Sequence, residues 1–358
     1  MHLWAVALAI VLLLGILWDA FQTIVLSRRV SRRFRLSRGF YRVLWTPWRA
    51  LARRFPAGNR RENVLTVFGP LSLLLLMAVW ALGLVFSFAL LHWGLGSLLA
   101  EANGASGFGI DVYMSGTTFF TLGLGDVTPR TTLTRALTVL EAGTGFGFLA
   151  LVISYMPSIS QAFSRREASI SMLDASAGSP PTATRLLREH FRDDDAALAG
   201  LLRDWERWSA ELLESHVSFP VLAYFRSQHE NQSWVAALTA VLDLCALLIT
   251  RVEERSIPTA RRTFAMARHA VVDLCAVFRL PPVPPPVDRL PRAEEQRLES
   301  LVALEGVRLR ADETSAAKLR ALREMYEPYI HALSTFLLMP LPAWIPPDDM
   351  PDRWHTIA

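Results

Sequence analysis

Between positions 111 and 129 the chain reads Asp-Val-Tyr-Met-Ser-Gly-Thr-Thr-Phe-Phe-Thr-Leu-Gly-Leu-Gly-Asp-Val-Thr-Pro. Gly123 and Gly125 stand at alternate positions. Such glycines admit backbone angles that other residues resist, so successive carbonyls can turn to one side. Carbonyls of Thr121, Leu122, Gly123 and Leu124, with the Thr121 hydroxyl, can then replace the water around a dehydrated cation. One strand supplies one side of each ion cage, so four copies are required. The preceding ten residues can form a helix of about 15 Å, half a bilayer, which enters the membrane and must stop there. Asp111 is the expected N-cap. The C-terminal end of that helix would aim its partial negative charge at a waiting cation. Irregular backbone at membrane depth is tolerable only when packed in protein and lining such a path.

The elements that must position this segment lie on either side. Three long apolar stretches fall in the first 160 residues: about Leu3 to Leu26, about Val64 to His92, and about Thr132 to Met156. Each is long enough to cross roughly 30 Å of hydrocarbon. The first lacks the basic start and small-residue cleavage site of a signal peptide, so a retained span is expected, with Trp4 and Trp18 as interfacial anchors. The chain is 52 % hydrophobic with a net charge of +4, and the arginines are unevenly placed. Arg28, Arg29, Arg32, Arg33, Arg35, Arg38, Arg42, Arg49, Arg53, Arg54, Arg60 and Arg61 fall between the first two spans, whereas Arg130 stands alone between the second and third. The positive-inside rule puts the first connection in the cytoplasm and the second outside, with the N-terminus external and everything beyond Met156 cytoplasmic. The 28–61 segment also carries Trp45 and Trp48, as expected of a helix on the inner membrane surface held by anionic lipid. Its position between spans argues against nucleic-acid binding.

Span, external re-entrant helix, Thr-x-Gly-x-Gly-Asp and span together resemble the pore module of potassium channels, whose commonest filter reads Thr-Val-Gly-Tyr-Gly-Asp; the likeness covers residues 64–160. It implies a homotetramer passing K+ through Thr121, Leu122, Gly123, Leu124 and Gly125, with Asp126 at the outer mouth and no cofactor beyond the permeant ion. Leu124 stands where the family has a tyrosine whose hydroxyl braces the filter. Any bracing here is expected to be apolar, through Phe119, Phe120 or Tyr113. Leucine at this position is similar to some two-pore-domain potassium channels. Glu141, in the third span, is costly at that depth and should face a partner or water. It either braces the filter through Thr117, Thr118 or Ser115, or lines the cavity and concentrates cations. Gly143, Gly145 and Gly147 either form a gating hinge, as glycines do in related channels, or let helix backbones pack closely. Asp19 either pairs with an arginine or lies near the headgroups.

The fold class expected is therefore an all-α membrane protein: three transmembrane helices, a re-entrant pore helix and filter between the second and third, and an all-α cytoplasmic domain. The domains run 1–27 (first span), 28–63 (basic interfacial segment), 64–160 (pore module), 161–184 (linker) and 185–358 (helical cytoplasmic domain). In that last part helices are expected over about 182–192, 195–217, 231–254, 258–279, 292–310 and 312–338, with 281–286 an extended proline connector and the tail from Pro340 a loop. The apolar run 233–250 is interrupted by Asp243 and suits a buried core helix better than a fourth span. Val241–Ala246 is echoed by Val271–Ala276, as in two similar helices of one bundle. Cys245 and Cys275 are expected to be reduced and buried. Asp193-Asp194-Asp195 reads as a helix start rather than a calcium site, and His229, or His269 with Asp273, is weak evidence for metal. No catalytic constellation is evident, so an enzyme is not expected. The alternatives kept open are a weakly selective monovalent cation channel and a non-conducting membrane-anchored sensor or scaffold. The cytoplasmic ligand and the gating stimulus are not legible, and the localisation expected is a bacterial inner membrane.

Overall fold

The computed structural model describes residues 2–26, 36–96, 99–101, 107–191, 195–229, 231–252, 257–304, 307, 309–310 and 312–346. The arginines from 28 to 35, Asp193, Asp194 and the tail beyond 346 lie outside them. Twelve α-helices and one pair of three-residue strands are present among the described residues. The chain divides into two units, Met1–Pro56 with Val64–Ser160, and Ala57–Asn63 with Gln161–Ala358.

Among the described residues, α1 (Leu3–Ile24), α3 (Asn59–Gly94) and α5 (Thr132–Ala177) are the helices long and apolar enough to cross a membrane; α1, α3 from Val64 and α5 up to Ser160 belong to the first unit. The protein is thus an all-α membrane protein. α1 and α3 pack antiparallel. At one end the His2 ring stacks on Trp93 with centroids 4.5 Å apart, and Ala5 and Ala9 meet Leu90 and Leu91. At the other, Ile16 and Ala20 join Leu76, Trp80, Leu84 and Phe119 in a single apolar cluster. Trp4 and Trp18 are both exposed.

α2 (Leu36–Ala52) is the basic amphipathic helix. Two tryptophans fix it to the start of α3: Trp45 packs edge-on against Phe68 at 4.7 Å, and Trp48 Nε1 donates to the Val64 carbonyl at 3.0 Å. Its other end is held by Asp19. That carboxylate is buried and accepts from the Ser37 amide (3.1 Å), the Ser37 hydroxyl (3.2 Å) and Trp80 Nε1 (3.0 Å). Asp19 therefore answers orphan amide and indole donors in the interior, rather than sitting among headgroups as one sequence reading had it; a carboxylate at a helix N-terminus also complements the helix dipole.

The re-entrant helix α4 (Phe108–Phe119) lies between α3 and α5 in sequence, flanked by β1 (Leu99–Glu101) and β2 (Val127–Pro129), which pair antiparallel. α4 starts three residues earlier than expected, after Gly107 at φ 148°, and Asp111 is buried within its first turn instead of capping it. A second boundary also moves: α5 does not end near Met156 but continues unbroken to Ala177, so most of the expected 161–184 linker is helix.

The second unit is all helical: α6 (Ala183–Phe191), α7 (Asp195–Ser218), a 3-10 turn (Pro220–Tyr224), α8 (Trp234–Thr250), α9 (Ile257–Phe278), α10 (Arg292–Ala303), α11 (Glu313–Glu324) and α12 (Glu327–Leu337). α8 is the core helix expected, buried along nearly its whole length, with Ser233 accepting from the Ala236 amide as its N-cap. The echoed segments lie on α8 and α9, which pack on each other. Both thiols are free and buried, and desolvation holds them well above the ordinary cysteine range. The helix expected over 312–338 is broken at Met325–Tyr326, because Pro328 in the first turn of α12 supplies no amide to continue α11.

An ion-pair network closes this unit. Arg289 reaches Asp243 (2.6 Å), Glu327 (3.2 Å) and the Pro342 carbonyl (2.9 Å). Arg323 binds Glu327 (3.0 Å) and Asp288, and the Tyr326 hydroxyl donates to Asp243. Trp344, buried in the irregular tail, lies under both guanidiniums. Beside this, Arg166 donates to the Leu222 and Phe225 carbonyls (both 2.9 Å) and approaches His216 Nε2 at 3.3 Å. The His269–Asp273 pair, 3.2 Å apart, is an i,i+4 contact on α9 with His269 exposed.

Candidate ion filter and its supports

α4 ends at Phe119, and the next residues hang from its last turn. The amides of Phe120, Thr121 and Leu122 donate to the carbonyls of Gly116 (3.0 Å), Thr118 (3.0 Å) and Thr117 (2.8 Å). These bonds use the orphan carbonyls of the helix end to fix where the filter segment begins. Beyond them the backbone alternates: φ is positive at Thr121 (59°), Gly123 (54°) and Gly125 (81°). Thr121 is the informative one, since a β-branched residue adopts this conformation only when its surroundings impose it. The whole segment Thr121 to Asp126 is exposed in a single chain, with Leu122 and Leu124 at 64 % and 65 %. Apolar side chains left this open at the end of a membrane-entering helix require a further covering surface.

The far end of the segment is braced by a polar contact, not the apolar one expected. The Tyr113 hydroxyl donates to Asp126 Oδ2 at 2.8 Å, and the other carboxylate oxygen accepts from the Val127 amide at 3.1 Å. A tyrosine hydroxyl from α4 thus ties down the end of the candidate filter segment. Phe119 is buried, with Phe120 edge-on at 5.4 Å and Phe148 of α5 at 6.0 Å, while Phe120 itself is exposed.

α5 lays one face along α4 in two rungs. In the upper rung Glu141 and Ser115 meet, joined by His92 from α3; all three are fully buried. His92 Nε2 stands 3.5 Å from Glu141 Oε2. Within one chain Glu141 has no exposed surface and faces His92 and Ser115. Thr117 and Thr118 are not its partners: their hydroxyls turn back to the Met114 carbonyl (3.0 Å) and Met114 sulfur (3.8 Å). His92 was not singled out from sequence; the available signal was an ionisable side chain at the end of an otherwise apolar span.

In the lower rung Gly145 packs on the end of α4. A methyl group there would lie 2.0 Å from the Phe119 carbonyl oxygen and 2.8 Å from its carbon. At Gly143 and Gly147 it would meet nothing within 4 Å. The glycine cluster is therefore mixed, with Gly145 a close-packing residue and the other two facing open space in one chain.

Two helices long enough to span a membrane thus flank the short helix α4 and the loop tethered to its end. Residues 74–161 match the family described as "Ion channel", so this part of the chain is similar to an ion-channel domain, and it holds two of the helices long and apolar enough to cross a membrane. The chain is also similar to the uncharacterized membrane protein YdjJ of Bacillus subtilis (strain 168), 27 % identical over 187 residues. That match covers 51 % of this chain and 53 % of the relative, so the chain spans about half the length of the curated relative it matches. No solved structure matches it significantly.

Proposed function

We propose that the protein is a homotetrameric potassium-selective channel, with K+ passing through the carbonyls of Thr121, Leu122, Gly123 and Leu124. The observation that carries this reading is the alternation of positive φ at Thr121, Gly123 and Gly125 on a segment hung from the pore helix. Alternating handedness turns neighbouring carbonyls toward one side, and a row of carbonyl dipoles is what substitutes for hydration water. The most apolar window of α5 is 11 % buried in one chain, against 61 % for α3, which fits an inner helix that packs against other copies. Asp126 sits at the outer mouth in this reading. Gly143 and Gly147, unlike Gly145, keep the role of a hinge. The basic α2 lies on anionic lipid at the cytoplasmic face of a bacterial inner membrane, the N-terminus is external, and the second unit is a cytoplasmic domain that assembles or gates the pore.

The test is recording from the purified full-length protein in planar bilayers, with K+ on one side and Na+ on the other, alongside native mass measurement in detergent. A reversal potential far toward the K+ equilibrium value and a fourfold mass support the proposal. A reversal potential near zero favours the weakly selective channel that Leu124, in place of a filter tyrosine, makes the second reading. Absence of any flux would leave a membrane-anchored sensor or scaffold.

A further inference from the structure

We propose that His92 is a positioning residue for the filter: it holds Glu141 against Ser115 and so locks outer, pore and inner helices into one geometry that sets ion discrimination. The inference rests on the channel reading given above and deepens it. His92 comes from α3, Ser115 from α4 and Glu141 from α5, and each is 0 % exposed within one chain. Neither ring nitrogen of His92, neither carboxylate oxygen of Glu141, nor the Ser115 hydroxyl meets strict hydrogen-bond geometry with any described residue. The nearest approach between ionisable groups here is the 3.5 Å between His92 Nε2 and Glu141 Oε2. Among the described residues, the interactions given for the Glu141 carboxylate are with His92 and Ser115.

Burying a carboxylate and an imidazole at membrane depth is expensive, and an apolar trio of the same volume would pack there more cheaply. Polar groups retained at such a place gain direction in exchange, because their attraction is satisfied only at short range and defined angle. The direction falls on α4. Ser115 lies one helical turn before Phe119, the residue that ends the pore helix and contacts Gly145 and Phe148. Thr121 follows two residues later. Drawing Ser115 toward the Glu141–His92 pair therefore fixes the axial position of the helix whose carbonyls hold the filter amides. The oxygen cages need positions held to about half an ångström for discrimination, a tolerance that apolar contacts alone meet poorly.

The test is a double-mutant cycle read as the K+/Na+ permeability ratio of the full-length protein in planar bilayers. His92→Phe and Glu141→Leu should each lower the ratio about tenfold, and the double variant should fall no further than the worse single. Glu141→Gln, which keeps an acceptor and donors in place, should stay within about twofold of the unaltered protein. A role confined to folding would lower the yield of channels but leave the ratio of those that conduct unchanged. Unchanged ratios, losses that multiply in the double variant, or a Glu141→Gln loss as large as that of Glu141→Leu would each overturn the inference. If the leucine or phenylalanine variant does not fold, His92→Asn carries the test: a lowered ratio in the channels that conduct supports the inference, and an unchanged one overturns it. Unaltered protein that carries no flux overturns the channel reading and this inference with it, whereas conducting protein with indifferent variants overturns this inference alone.

Discussion

Replacing Gly145 by alanine should damage ion discrimination far more than it damages folding. The added methyl carbon would stand 2.0 Å from the Phe119 carbonyl oxygen, and no real side chain tolerates a contact under 3.0 Å. The end of α4 must then move by at least about 1 Å, roughly twice the tolerance of a preorganised site. Phe119 cannot yield alone, since its side chain is buried against Phe148 and the next amides are bound to Gly116, Thr117 and Thr118. The displacement passes to Thr121. Overpacking of this size costs about 1–3 kcal/mol, against which alanine returns about 1 kcal/mol of helix propensity, so the thermal midpoint should fall only slightly. The K+/Na+ permeability ratio should fall about tenfold or more, the filter positions having shifted by more than they tolerate. Gly143→Ala and Gly147→Ala supply the comparison, because a methyl group at either meets nothing within 4 Å in one chain. Both should keep their selectivity, while any hinge function would show as fewer openings. Paired bi-ionic recordings and thermal unfolding measure the two quantities. If Gly145→Ala kept full selectivity, the close approach of α5 to the pore helix would not be what positions the filter.

Other consequences follow from the same contacts. Tyr113→Phe removes the hydroxyl that reaches Asp126, and should shorten the time the filter stays conductive without changing protein yield; single-channel dwell times report this. Arg289→Met strips Asp243 and Glu327 of their shared partner and should destabilise the helical unit by about 3–5 kcal/mol, whereas Arg320→Met, at an exposed pair with Glu313, should leave thermal unfolding unchanged. His216 is buried beside Arg166, and burial first, then that positive charge, pushes its imidazole down to about 3. The unfolded chain takes up this proton near the ordinary pKa of about 6.5, so the stability is fully present above that pH and drains away as pH falls toward 3. The loss is on the order of 5 kcal/mol across that window. His216→Phe should flatten the acid limb of the unfolding profile, and an unchanged limb would show that other groups govern it.

What could be read along the chain was what depends on near neighbours. Apolar runs long enough to cross a bilayer marked α1, α3 and α5, and arginine placement assigned them an orientation that the channel reading adopts. Gly123 and Gly125 announced a backbone with left-handed residues, because no distant contact is needed to make glycine permissive. Helix periodicity found most of the second unit, and Asp243 within an apolar run correctly suggested a buried core helix, though not the Arg289 that pairs with it. The break at Met325–Tyr326 was missed by the expected 312–338 helix, although its cause, Pro328, is local.

Tertiary structure decided the rest, for the reason that a side chain's role at membrane depth depends on what faces it across a helix interface. Glu141 had no partner legible in the sequence until α3 brought His92 to it in a buried setting. Gly143, Gly145 and Gly147 are alike in sequence, and only the approach of Phe119 separates one from the others. Tyr113 and Asp126 are thirteen residues apart, joined because the chain folds back at the filter. Asp19 was ambiguous along the chain and became a helix tether once Ser37 and Trp80 arrived from two other elements. Sequence alone determined which segments are apolar and long enough to cross a membrane and where the backbone can bend; the packing of three helices around the fourth determined what holds that bend in place, because such contacts join residues whose separation along the chain carries no local signal.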